Sequence, residues 1–135
     1  MSTPVRTKTL KQTITFPAVP EKVFGLLMDS KRHTAFTGAA AFIEPEVGGH
    51  FSAYDGYIEG KTLELDRDRK IVQSWRGRDW PVGHYSTVMF LFTKVAGGSR
   101  LRFTHKGIPL AEFEGIKEGW KDFYWKRMKE YLKKD

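Results

Sequence analysis

The segment Glu112–Leu132 sets the strongest limit on what this chain can fold into. Advanced by the helical period of about 100° per residue, Phe113, Ile116, Trp120, Phe123, Tyr124 and Tyr131 fall in one stripe. Met128 lies at its edge, and Glu118, Asp122, Lys126, Lys129 and Lys133 fall opposite. The spacing predicts one long amphipathic helix whose apolar face is built mainly of rings. A face that wide and bulky requires a broad concave partner. Arg127 falls inside the stripe. Either its stem lies on a sheet rim with the head in water, or it stands at a pocket mouth and pairs with an anionic ligand group or an internal acid.

The rest of the chain reads as the required partner. Residues 7 to 16 alternate, with Leu10, Gln12, Ile14 and Phe16 on one face and Thr9, Lys11, Thr13 and Thr15 on the other. Pro17 ends this strand. Pro20 opens a short helix to Met28, and Ser30 is placed to cap a second, Lys31 to Thr37, closed by Gly38. Strands are then expected at 40–44, 50–54, 57–65, 70–76, 86–95 and 100–105, with short turns between most of them. Asp55-Gly56 carries a hairpin signature. Short connections force antiparallel neighbours, and a sheet of this many strands must twist and curl. The fold class expected is therefore α+β: a curved antiparallel sheet of six to seven strands gripping the terminal helix, with two short helices after the first strand.

A chain of 135 residues is expected to form a single domain over 1–135, ordered from about 8 to 132. It has no cysteine, which excludes disulfides, thiolate metal sites and Cys nucleophiles. No apolar run is long enough for a membrane span. Residues 1–6 lack the apolar middle of a signal peptide, so a cytoplasmic location is expected. The net charge of +7 is spread from Arg6 to Lys134 with acids interleaved, so it reads as a solvated basic face and not as a nucleic-acid site.

Little points to catalysis. None of His33, His50, His84 and His105 stands four residues from another, and no His-Glu-x-x-His, nucleophile elbow or phosphate loop is present. No metal site, cofactor or catalytic residue is expected. The aromatic residues carry more. Val88, Phe90 and Phe92 share a strand face, with Trp75, Phe103 and His105 on neighbouring strands. Opposite them stand Trp120, Phe123 and Tyr124, with Arg127 beyond. These ten residues are the candidate lining of an apolar ligand cavity, although the same rings also suffice as a plain core. Each ring gains roughly 1.5–3 kcal/mol on leaving water. In the loop 75–81, Trp75 reads as core, while Arg78 and Trp80 are candidate contacts for a protein partner.

Four passages give the chain a resemblance: Lys70–Arg76, Trp80–Tyr85, Phe103–Pro109 and Glu118–Trp120. With them the chain resembles the single-domain relatives of the activator of the heat-shock-protein-90 ATPase, within the START-like (SRPBCC) helix-grip superfamily. The resemblance implies a curved sheet gripping the last helix, a cavity between them for a small hydrophobic molecule, and association with a chaperone. It covers only what is the C-terminal domain of the two-domain activators. Two functional readings follow. The first is a non-enzymatic binding module for a small hydrophobic ligand, a protein partner, or both. The second is a cyclase- or hydrolase-like enzyme using His105 or a cavity carboxylate as general base.

Overall fold

In the computed structural model, residues 5–134 are described; residues 1–4, part of the segment read for a signal peptide, and Asp135 lie outside them. The alternating residues 7–16 form strand β1 (Thr7–Phe16), with Leu10, Ile14 and Phe16 buried and the threonines exposed. After Pro17 come α1 (Pro20–Met28) and α2 (Ser30–Thr37). Asp29, not Ser30, caps α2: its carboxylate accepts the Arg32 amide at 3.0 Å. Ser30 Oγ instead accepts the Ile43 amide at 2.8 Å and ties α2 to the sheet. Gly38 closes α2 in the left-handed conformation, φ 76°, as its position predicted.

Six further strands follow: β2 (Phe42–Ile43), β3 (His50–Ala53), β4 (Ile58–Asp66), β5 (Lys70–Gly77), β6 (Ser86–Val95) and β7 (Gly98–Pro109). They form one seven-stranded antiparallel sheet in the order β1-β7-β6-β5-β4-β3-β2. The last strand returns beside the first. β7 is longer than the expected 100–105 because Ile108 and Pro109 still pair with Lys8 and Thr7. Bulges lie between Lys8 and Leu10 and between Thr62 and Glu64. Such irregularities increase local twist and bend the strand that carries them. This is the helix-grip arrangement.

The last helix differs from the even stripe in an informative way. It runs as α3 (Phe113–Gly119), a π-helical segment at Trp120–Trp125, and α4 (Lys126–Lys134). Within the π-helical segment the Lys126 amide reaches the carbonyl of Lys121, five residues back. One extra residue in a turn shifts the downstream phase by about 100°. Trp125 is accordingly turned to the sheet and Met128 and Leu132 are buried, while Phe123 is 48% exposed and Tyr131 only partly buried. Trp120 and Trp125 stack at 5.3 Å and 18° across the π turn. The uniform period thus placed Trp120 and Tyr124 correctly and missed Trp125 and Leu132.

Candidate functional site

An open, mainly apolar groove of about 420 Å³ lies between the sheet and the front half of the last helix. Trp75 from β5, Ile58 from β4 and Trp120 line it, and Tyr54 and Tyr57 come from the β3–β4 turn. The helix contributes Gly115, Ile116, Gly119, Phe123 and Tyr124, and Glu112 comes from the 3-10 turn Leu110–Glu112 just before it. The β3–β4 turn holds Tyr54 and Asp55 at φ 50° and 58°, followed by Gly56 at 87°. A bulky ring is rare in that region of backbone space. Three bonds offset the strain. Asp55 accepts the Ala40 amide at 2.8 Å, the Asp55 amide reaches the Ala40 carbonyl at 3.1 Å, and Tyr54 Oη donates to the Phe123 carbonyl at 2.6 Å. Burial pushes the Tyr54 hydroxyl up to about 12, with Arg127 opposing. Tyr57 is also pushed up to about 12, first by burial and then by the 2.7 Å bond it donates to Asp79.

Of the ten residues expected to line a cavity, Trp75, Trp120, Phe123 and Tyr124 meet at this groove. The others do not. Val88, Phe90, Phe92 and Phe103 are buried in the packed core behind it. Phe103 lies 4.5 Å from the Trp120 ring, which leaves no gap between them. Arg127 also lies elsewhere. Its Nη1 donates to the Thr37 carbonyl at 2.9 Å, closing the C-terminus of α2, and its guanidinium lies 5.4 Å from the Phe123 ring. Neither expected role for Arg127, a snorkelling head or a pocket-mouth cation, describes a side chain that joins two helices.

His105 does face inward, with no exposed surface. The Trp120 indole N–H, a donor only, reaches Nδ1 at 3.0 Å, so that nitrogen accepts. Nε2 then carries the proton and donates to Ser86 Oγ at 2.7 Å, and Ser86 passes its own hydrogen to the Trp75 carbonyl at 2.7 Å. Both ring nitrogens are engaged, and burial alone lowers the imidazole to about 3. A second such histidine, His33, was not singled out by the sequence. Tyr124 Oη lies 3.0 Å from its Nε2 and the Leu27 carbonyl 3.3 Å from its Nδ1. Burial lowers it to about 4, against the raising effect of the Leu27 bond. A His on a short, weakly amphipathic helix carries no signal that a ring 91 positions away will meet it.

Trp80 corrects a further expectation. It is 3% exposed, packed 5.3 Å from Trp75 and stacked 6.4 Å from His105, so it supports its loop from inside and presents nothing to a partner. Its loop is also held by Arg76, whose Nη2 donates to the Trp80 carbonyl at 2.8 Å. Arg78 remains exposed, with Nη2 3.3 Å from the Asp55 carbonyl. Among the described residues no group of three or more acidic or histidine side chains is placed to hold a metal ion. Among them, too, no helix is long and apolar enough to cross a membrane.

Residues 17–133 match the family described as Activator of Hsp90 ATPase homolog 1-like protein. The human Activator of 90 kDa heat shock protein ATPase homolog 1 is 34% identical over 90% of this chain and 36% of its own length. The Dictyostelium discoideum Activator of 90 kDa heat shock protein ATPase homolog is 38% identical over 89% of this chain and 32% of its own. The chain thus spans about a third of the length of these relatives. The crystal structure of PFC0360w, an HSP90 activator from Plasmodium falciparum, superposes with a TM-score of 0.86 at 30% identity. It covers 92% of this chain and 95% of that one. Protein CV1439 from Chromobacterium violaceum shares the fold, with a TM-score of 0.78 at 22% identity over 94% of this chain and 98% of its own.

Proposed function

The chain belongs to the family of Activator of Hsp90 ATPase homolog 1-like proteins, and on that premise we propose that it is a cytoplasmic, non-enzymatic binding module. Its partner is a chaperone of the 90 kDa heat-shock class, and its groove between sheet and helix holds a small hydrophobic molecule. The groove itself is the observation that carries the ligand reading. It is open to entry, lined mainly by aromatic and aliphatic side chains, and large enough for a compact ligand. The chaperone reading is supported by the likeness to the Plasmodium activator across nearly the whole of that chain. Binding in preference to catalysis is supported by His105, whose two nitrogens are consumed by Trp120 and Ser86 behind the groove wall. Arg78, exposed beside the mouth, is the partner contact we retain.

Two measurements test this. The first is addition of the purified protein to the purified chaperone. Binding and a changed ATPase rate are expected, weakened by Arg78→Ala; no association at micromolar concentrations removes the partner. The second is native mass spectrometry, expected to show an apolar molecule retained by the wild type and lost from Gly119→Leu. Gly119 sits in helical backbone, φ −62° and ψ −43°, and a Cβ there meets only the Phe123 ring at 3.8 Å. A leucine therefore starts into the groove from an unhindered Cβ and replaces a helix-interior glycine that costs about 0.5–1 kcal/mol. Its melting temperature should equal or exceed that of the wild type while the ligand is excluded. Unchanged ligand retention would place the bound molecule somewhere else.

A further inference from the structure

The groove has a chemical bias of its own. Its side-chain hydroxyls are already committed as donors: Tyr54 to the Phe123 carbonyl, Tyr57 to the Asp79 carboxylate and Tyr124 to His33. The Trp120 N–H is committed to His105. What these groups leave for a guest is ring faces, which attract positive charge, and hydroxyl oxygens with no free hydrogen. Glu112, half-buried at the rim, is the one charged residue on the lining, and no cation pairs with it among the described residues. The Trp75 indole N–H is neutral. The end of the last helix lies beside Glu112 and offsets part of its field, but the rings do not depend on it.

A ligand carboxylate would meet no cation on the lining itself, only the Trp75 N–H and, at the mouth, an Arg78 already 3.3 Å from the Asp55 carbonyl. An ammonium would meet aromatic faces, hydroxyl oxygens and a carboxylate. We propose that this groove selects small organic ammonium cations with a flat apolar body, the body against the ring lining of the groove, where Trp75 and Trp120 already pack together at 5.7 Å, and the cationic head toward Glu112. The proposal rests on the reading of the groove as a ligand site and names the chemical class of its guest. The overall charge of +7 works against any cation in solution. At physiological ionic strength, charges more than about 8 Å from the head are largely screened, and Glu112 acts inside that range.

The test uses three guests with one ring system: 2-naphthylmethylammonium, neutral 2-methylnaphthalene and 2-naphthoate, titrated against the full chain by tryptophan fluorescence and calorimetry. The ammonium should bind about ten-fold more tightly than the neutral hydrocarbon, and the carboxylate more weakly than either. Glu112→Gln should reduce ammonium affinity about five-fold and leave the hydrocarbon unchanged, with its melting temperature confirming the fold. Equal or tighter binding of the hydrocarbon or carboxylate overturns the ammonium preference and leaves the groove reading standing. So does a Glu112→Gln variant that binds the ammonium as the wild type does. If none of the three guests binds, the groove reading falls and the preference with it.

Discussion

Trp120→Ala is expected to remove most of the stability of this protein. The ring is 4% exposed and is contacted by Phe103, Trp125 and Tyr124 at centroid distances of 4.5, 5.3 and 4.7 Å. Truncating a buried Trp costs about 3–5 kcal/mol in lost transfer and cavity energy. The Trp120 N–H also satisfies His105 Nδ1, which would be left buried without a donor at about 1–3 kcal/mol more. Domains of this size are stable by about 5–15 kcal/mol in total. Phe123→Ala is the informative comparison, because an even helical period puts both rings in one stripe. Phe123 is 48% exposed, so its truncation should cost less than about 1.5 kcal/mol. Guanidinium unfolding of both variants decides: similar midpoints would mean that the helix does not dock as described.

That contrast also shows what the residues reveal on their own and what they conceal. Strand alternation is a local property, and Leu10, Ile14 and Phe16 read correctly because each residue turns its side chain opposite to the last. Helix phase accumulates, so one π turn at Trp120–Trp125 changes every position after it. Trp125 and Leu132 were illegible for that reason, and Arg127 with them. The groove was half legible. Its rings on regular elements, Trp75, Trp120 and Tyr124, follow from period and strand position. Asp55-Gly56 signals the turn that carries Tyr54 and Tyr57, but no propensity favours the left-handed backbone of Tyr54, and the Ala40 backbone and Phe123 carbonyl that stabilise it come from distant segments. Trp80 misled because loop tryptophans are often exposed anchors, whereas here the loop folds back over Trp75 and His105.

The two buried histidines make the fold acid-sensitive in a defined window. An unperturbed imidazole titrates near 6.5, whereas in the folded state His105 is lowered to about 3 and His33 to about 4. A depressed pKa means that the unfolded chain binds the proton first. Each histidine therefore contributes stability fully above about pH 6.5 and loses it progressively as the pH falls toward its folded value. Between pH 7.5 and 5 each should forfeit roughly 2 kcal/mol, together about 4. No carboxylate is hydrogen-bonded to either ring to compensate: His105 meets Trp120 and Ser86, His33 meets Tyr124 and a backbone carbonyl. Most carboxylates titrate below this window, so the loss belongs to imidazole. Unfolding free energy measured at half-unit steps should fall steadily from pH 6.5 to 5. His105→Gln, less stable overall, should show about half that slope. A wild-type profile flat across the window would mean that water reaches both rings, and the packed seam joining α2, β7 and the last helix could not then be as tight as its contacts indicate.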